Sequence, residues 1–147
     1  MDMRFMLEIL LKSRAAGKLY EKMFEHVREE YGMTQLEVDI VAFLKNNPGL
    51  DTASDIVKYR MLPKANVSQA VELLIRRGLV KRRPDGRDRR RVHLELTGLA
   101  EAAAEQIREA QGRFSDLLFE GFTDEERRQY QELTGRIAEN IRRRTGE

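Results

Sequence analysis

The densest chemistry in this sequence is cationic. Arg87, Arg89, Arg90 and Arg91 fall within the short run Asp85-Gly86-Arg87-Asp88-Arg89-Arg90-Arg91. Guanidinium groups crowded on a short loop suit phosphates and the narrow, electronegative minor groove of a duplex. One carboxylate, Asp88, stands among them, and its expected task is to orient a neighbouring arginine by a bidentate bond. Upstream, Lys64, Asn66, Ser68 and Gln69 gather at the front of an apolar-periodic segment. Asn and Gln are the side chains suited to paired hydrogen bonds with an adenine edge. Lys can meet a guanine edge or a phosphate, and Ser can bond a phosphate.

The charge distribution points the same way. Lys58 to Arg91 holds twelve Lys or Arg against three acids, whereas the whole chain carries only +2. A basic middle with acidic flanks makes that block a candidate phosphate-binding surface. Enzyme chemistry finds little to work with. The two histidines, His26 and His93, are far apart in sequence, and there is no cysteine and no glycine-rich phosphate loop. His26 lies near Glu25, Glu29 and Glu30, a grouping better read as a solvated helix face than as a metal site. His93 is expected on the wet face of a strand. Neither a catalytic set, a cofactor nor a metal is expected.

The elements that must position these groups follow from periodicity. Met6, Ile9, Leu10, Ala16, Tyr20, Met23, Phe24, Val27 and Tyr31 repeat at helical spacing and predict one long helix ending at Gly32. Thr34-Gln35-Leu36-Glu37 reads as a capping box opening a second helix, which stops at Asn47-Pro48-Gly49. A short third helix starts near Asp51 or Thr52 and runs to about Tyr59. Pro63 suits the first turn of a fourth, which runs to Gly78. The period then becomes two. Leu79 to Arg83 and Arg91 to Leu96 read as paired strands about a turn at Pro84-Asp85-Gly86, with Val92, Leu94 and Leu96 on the buried face. Thr97 is placed to cap a fifth helix carrying Leu99, Ala103, Ile107, Ala110, Phe114, Leu117 and Leu118. After Gly121, a capping box at Thr123 and Glu126 opens a sixth, with Tyr130, Leu133, Ile137 and Ile141 in line and Arg142-Arg143-Arg144 at its negative end. Helix, short helix, tight turn, helix and hairpin make a winged helix-turn-helix, mainly α with a small β-hairpin wing. In such a motif the second helix reads the major groove.

Asp85-Gly86-Arg87-Asp88-Arg89-Arg90-Arg91-Val92-His93-Leu94-Glu95-Leu96-Thr97 resembles the wing signature of the MarR family of regulators. The match includes Asp85, Arg87, Asp88, Arg89, Arg90, Leu96 and Thr97. Lys64 to Leu74, followed by Gly78-Leu79-Val80, resembles that family's recognition helix and the start of its wing. Pro63 departs from the Ser or Thr that caps this helix in many members. The resemblance implies a homodimer with interleaved first, fifth and sixth helices. Two winged modules would then read a pseudo-palindromic duplex site, with Asp88 and Arg90 organising the wing.

The expectation is therefore a single domain over 1–147, with dimerisation helices at 1–33 and 98–147 and a DNA-binding lobe at 34–97. The expected function is sequence-specific double-stranded DNA binding by a repressor that a small aromatic or acidic effector releases. A constitutive or architectural DNA binder without effector is the alternative. Tyr20, Phe24 and Phe43, with Met23 beside them, are the candidate lining of an effector cleft, against the plainer reading that they are core. With no cysteine, no signal-peptide pattern and no long apolar stretch, a soluble cytoplasmic protein with no membrane partner is expected.

Overall fold

The computed structural model describes residues 3–146. Met1, Asp2 and Glu147, the ends of the domain expected from sequence, lie outside the described residues. The chain divides into two compact units, residues 1–114 and 115–147.

In the first unit the expected opening helix is two helices. α1 spans Met3–Met23 and α2 spans Glu25–Tyr31, separated by Phe24 at φ −101°, ψ 3°. The physical reason lies in what each segment buries. Phe24 and Val27 are fully enclosed in the core, whereas α1 buries no residue. The bend turns Phe24 inward, and the Glu21 carbonyl at the break accepts both the Phe24 N–H, at 3.1 Å, and the guanidinium of Arg28, at 2.6 Å. Gly32, at φ +60°, ends α2 in the left-handed conformation.

α3 (Gln35–Asn46), α4 (Ala53–Arg60) and α5 (Lys64–Arg76) then pack around Ile40, Val41, Ile56, Val67, Val71 and Leu74. The capping box expected at Thr34 is only half made. Thr34 Oγ1 accepts the Glu37 N–H at 3.2 Å, but the Glu37 carboxylate is buried and binds Arg77 at 2.9 Å instead. A reciprocal box does form at Thr52 and Asp55, where α4 begins. Pro63 stands at the N-cap of α5, one position ahead of the expected first turn, and supplies no side-chain acceptor for the first amides.

β1 (Val80–Pro84) and β2 (Val92–Leu96) pair antiparallel, with Arg82 opposite Leu94 and Arg83 opposite His93. Only Val80 and Leu94 of this hairpin are buried, and Val92 is exposed. The one-sided burial expected for Val92, Leu94 and Leu96 fades toward the tip because the hairpin projects out of the lobe. Leu94 N–H donates to the Asp51 carbonyl at 2.7 Å, tying β2 to the α3–α4 loop. Thr97 does not cap a helix with its side chain. Its hydroxyl donates to the Gly78 carbonyl at 2.6 Å, and a 3-10 turn, Gly98–Ala100, leads into α6 (Glu101–Leu118). Leu99, expected on the buried face, is exposed on that turn.

In the second unit Gly121 (φ +81°) turns the chain, and Thr123 and Glu126 make the expected reciprocal box at the start of α7 (Asp124–Thr145). Phe119 packs edge-on against Phe122 and Tyr130, at 5.5 and 5.3 Å. α7 buries no residue, and Tyr130, Leu133, Ile137 and Ile141 are all exposed.

Candidate nucleic-acid interface

The apolar face of α5, Val67, Ala70, Val71 and Leu74, is held against α3 and α4. That leaves Lys64, Asn66, Ser68 and Gln69 exposed. The four expected contact residues divide by side. Asn66 and Gln69 line a cleft with Thr34, Leu36 and Leu73, whereas Lys64 and Ser68 line another with Ala53, Ser54 and Val57. This follows from helical spacing, since positions three or four apart share a face.

Ala53 and Ser54 also line a third cleft, with Thr52, Asp55, Arg90, Arg91 and Val92. The first turn of α4 thus joins α5 to the wing on one surface. Ser54 is exposed there, and no motif in the sequence singled it out.

The wing tip is ordered by carboxylates acting on backbone. Asp85 Oδ1 accepts the N–H groups of Arg87 and Asp88, at 2.8 and 3.0 Å. Asp88 Oδ1 accepts the N–H of Arg90 at 2.9 Å, and the Asp88 carbonyl accepts that of Arg91 at 3.1 Å. The expected bidentate bond from Asp88 to a guanidinium is not made: among the described residues its carboxylate meets backbone. Side chains that accept from amides two positions on are a standard way of fixing a turn. Arg87, Arg89, Arg90 and Arg91 are exposed, and among the described residues none of them makes an ion pair. The strand cations differ. Arg82 pairs with Glu72, while Arg83 and Lys81 pair with Glu95 at 2.5 and 3.5 Å. Free positive charge is concentrated at the tip.

His93 is not on a wet face. Its side chain is 14% exposed, with Nδ1 2.6 Å from Asp51 Oδ1 and Nε2 2.8 Å from Asp85 Oδ2. The bonds to Asp51 and then Asp85 raise its pKa above the ordinary histidine value. Asp85 is held well below the usual carboxylate range, first by the Arg87 N–H and then by His93 and the Asp88 N–H. The sequence could not pair these residues, because Asp51 reaches His93 only through the fold. His26 is exposed on α2. No group of three or more His, Cys, Asp or Glu among the described residues is arranged to hold a metal ion.

The three residues considered for an effector cleft all belong to or pack on the core, but their rings meet different neighbours. Tyr20 packs on Phe24 at 4.6 Å and on Phe114 at 5.1 Å, whereas the ring of Phe43 meets Tyr59 of α4 at 6.5 Å. Phe24 is wholly enclosed and Phe43 nearly so, which makes both of them core. Tyr20 is half-buried; its hydroxyl accepts from Gln111 at 3.1 Å, and burial raises its pKa. Nearby Asp39, also raised by burial, is held by Gln35 at 3.0 Å and pairs with Arg60 at 3.6 Å.

Residues 31–91, which hold α3, α4, α5 and the wing tip, match the family model described as "MarR family". That stretch of the chain resembles the MarR family. Among its curated relatives is the HTH-type transcriptional regulator PecS of Dickeya dadantii, 26% identical over 96% of this chain and 86% of that protein. The HTH-type transcriptional repressor YetL of Bacillus subtilis is 25% identical, over 92% of this chain and 81% of its own. Bordetella bronchiseptica BpsR, solved in a study of how 6-hydroxynicotinic acid regulates its DNA binding, superposes with a TM-score of 0.69. That likeness is at 22% identity and spans 89% of this chain and 98% of BpsR. No helix among the described residues is long and apolar enough to cross a membrane.

Proposed function

We propose that this chain, like the MarR family it resembles, is a homodimeric, sequence-specific repressor that binds a pseudo-palindromic duplex and is released by a small aromatic or acidic effector. The family model and the curated relatives support a DNA-binding transcriptional regulator rather than an enzyme. The observation that carries the reading is the surface running from Lys64 and Ser68 across Ser54 to Arg90 and Arg91, bordered by unpaired arginines. Short polar groups on an exposed helix face can read base edges, and the cationic wing can hold the phosphates on either side. On this reading Lys64, Asn66, Ser68 and Gln69 face the major groove. Arg87, Arg89, Arg90 and Arg91 face phosphate or the minor groove, and Asp88 keeps the tip in shape.

Dimerisation is supported by apolar surface with no cover within the chain. Leu7, Leu10 and Leu11 on α1, and Leu133, Ile137 and Ile141 on α7, are all more than half exposed. Patches of that kind on a water-soluble protein mark interaction surfaces. Repression is supported by YetL, named a repressor, and effector control by BpsR, whose regulator is a small aromatic acid. In this chain Tyr20, with Gln111 and Asp39 beside it, is the best-placed of the three aromatic residues for such a ligand. The full burial of Phe24 favours a second reading, a constitutive or architectural binder without effector. Both readings place the protein in the cytoplasm.

The test is an affinity series on duplex DNA. Log affinity should fall linearly with log salt, with a slope that gives the number of phosphates held. No binding at low salt would refute the reading. A thermal-shift panel of phenolic and nicotinic acids separates the two versions, because only an effector-binding protein gains melting temperature from one of them.

A further inference from the structure

We propose that His93 is a positioning residue for the wing: doubly protonated, it clamps the wing turn to the α3–α4 loop, and the protein holds DNA more tightly in that state than with a neutral imidazole. The DNA half of this inference rests on the function proposed above.

The geometry sets the requirement. Each ring nitrogen faces a carboxylate oxygen, Nδ1 toward Asp51 at 2.6 Å and Nε2 toward Asp85 at 2.8 Å. An ionised carboxylate only accepts, so both bonds need an N–H, and an imidazole carries two only when charged. Loss of one proton turns a bond into a lone pair facing a carboxylate. The two carboxylates belong to different parts of the lobe. Asp51 lies in the loop before α4, and its carbonyl also holds β2 at Leu94. Asp85 opens the wing turn, and its other oxygen fixes the amides of Arg87 and Asp88. Releasing Asp85 from His93 therefore frees the residue that sets the course of the arginine loop.

The other charged groups around the clamp have partners of their own. Arg83 lies across the ladder from His93, 3.9 Å from Asp51 and bonded to Glu95 at 2.5 Å, and it opposes the imidazolium only weakly. Lys81 also pairs with Glu95, and Lys45 pairs with Glu101 at 3.0 Å beside Asp51. Two carboxylates in direct contact outweigh one guanidinium that is itself paired with carboxylates, and His93 titrates above the ordinary histidine range. The folded pKa is the raised one. The clamp is thus fully closed below the unfolded-state value and lost as pH rises through the folded one. DNA affinity should fall over the same interval.

The experiment pairs two readouts on the full chain. NMR follows the His93 ring protons and the amides of Arg87 and Asp88 through the titration. Anisotropy measures duplex affinity at constant ionic strength near pH ~6 and pH ~9 for wild type, His93→Gln and His26→Gln. The wing amides should move with the same midpoint as the His93 ring. Wild type and His26→Gln should lose about three- to tenfold in affinity, the range one ordinary hydrogen bond supports. His93→Gln should be flat in pH, at the high-pH level of wild type. Wing amides that ignore the imidazole, or a His93→Gln profile like that of wild type, would overturn the proposal. The amide titration needs no variant and so does not depend on His93→Gln folding. Coupled amides in a wild-type protein that binds no duplex at any pH would leave the clamp standing and overturn its DNA half together with the regulator reading.

Discussion

Asp88 offers the sharpest discrimination, because geometry and charge counting predict opposite signs for its removal. Asp88→Ala deletes a negative charge from a loop assigned to phosphates. At roughly 10 Å from a phosphate in water, that charge costs about 0.4 kcal/mol before salt screening, so charge counting predicts about twofold tighter binding. The structure predicts the reverse. The carboxylate accepts the Arg90 N–H at 2.9 Å on an exposed turn, a bond worth about 0.5–1 kcal/mol at such a site. Freeing the Arg90 backbone adds about 1 kcal/mol of ordering that the complex must restore. Less the charge term, the net loss is about 1–1.5 kcal/mol, or roughly five- to tenfold. Asp88→Asn keeps the acceptor without the charge and should bind as wild type or slightly tighter. The assay is anisotropy over a salt series, with circular dichroism to confirm folding and Arg90→Ala as a reference expected to lower the salt slope by about one. Tighter binding by folded Asp88→Ala would refute the reasoning and reduce the wing to a cationic loop.

Three further outcomes follow from the same geometry. Asn66→Ala or Gln69→Ala should cost about 1–3 kcal/mol on the preferred site and relax base choice locally, measured by competition between duplexes; equal loss on every sequence would reassign that residue to phosphate. Charged replacements at Leu133, Ile137 and Ile141 should abolish dimerisation in light scattering, and a dimer that survives them unchanged would place the interface elsewhere. Arg77→Met leaves the Glu37 carboxylate, which is 3% exposed, with the Thr34 hydroxyl and no cation, and removes the bonds that Arg77 makes to the Tyr31 and Gly32 carbonyls. With the Arg77 side chain 35% exposed, urea denaturation should read a loss of about 2–4 kcal/mol rather than the full penalty of a buried pair, and a loss below about 0.5 would show that the pair is fully screened.

What the sequence made legible was local. Periodicity placed α3, α4, α5 and α7 to within a few residues, and the wing was visible in its alternation and arginines because a hairpin is a short-range object. Three features escaped for one reason, which is that tertiary partners decided them. The apolar stripe of the opening segment is continuous, so nothing local announced the break at Phe24; the core, by enclosing that ring, made it. Thr97 has the residue type and place of a cap, yet its hydroxyl finds the Gly78 carbonyl across the hairpin base. His93 alternates with apolar residues and so read as solvent-facing, until the α3–α4 loop brought Asp51 to it. The partner of Asp88 was not legible, since spacing does not tell a backbone amide from a guanidinium.

The central claim is that α5 reads sequence while the wing holds the backbone, twice over, in a symmetric complex. Selection of bound duplexes from a random pool tests it in one measurement. The account predicts an enriched pseudo-palindrome with two half-sites spaced by about one helical turn or a multiple of it, with the strongest base preference where α5 lies. Enrichment of a single unpaired half-site, or of no sequence above the starting pool, would contradict it.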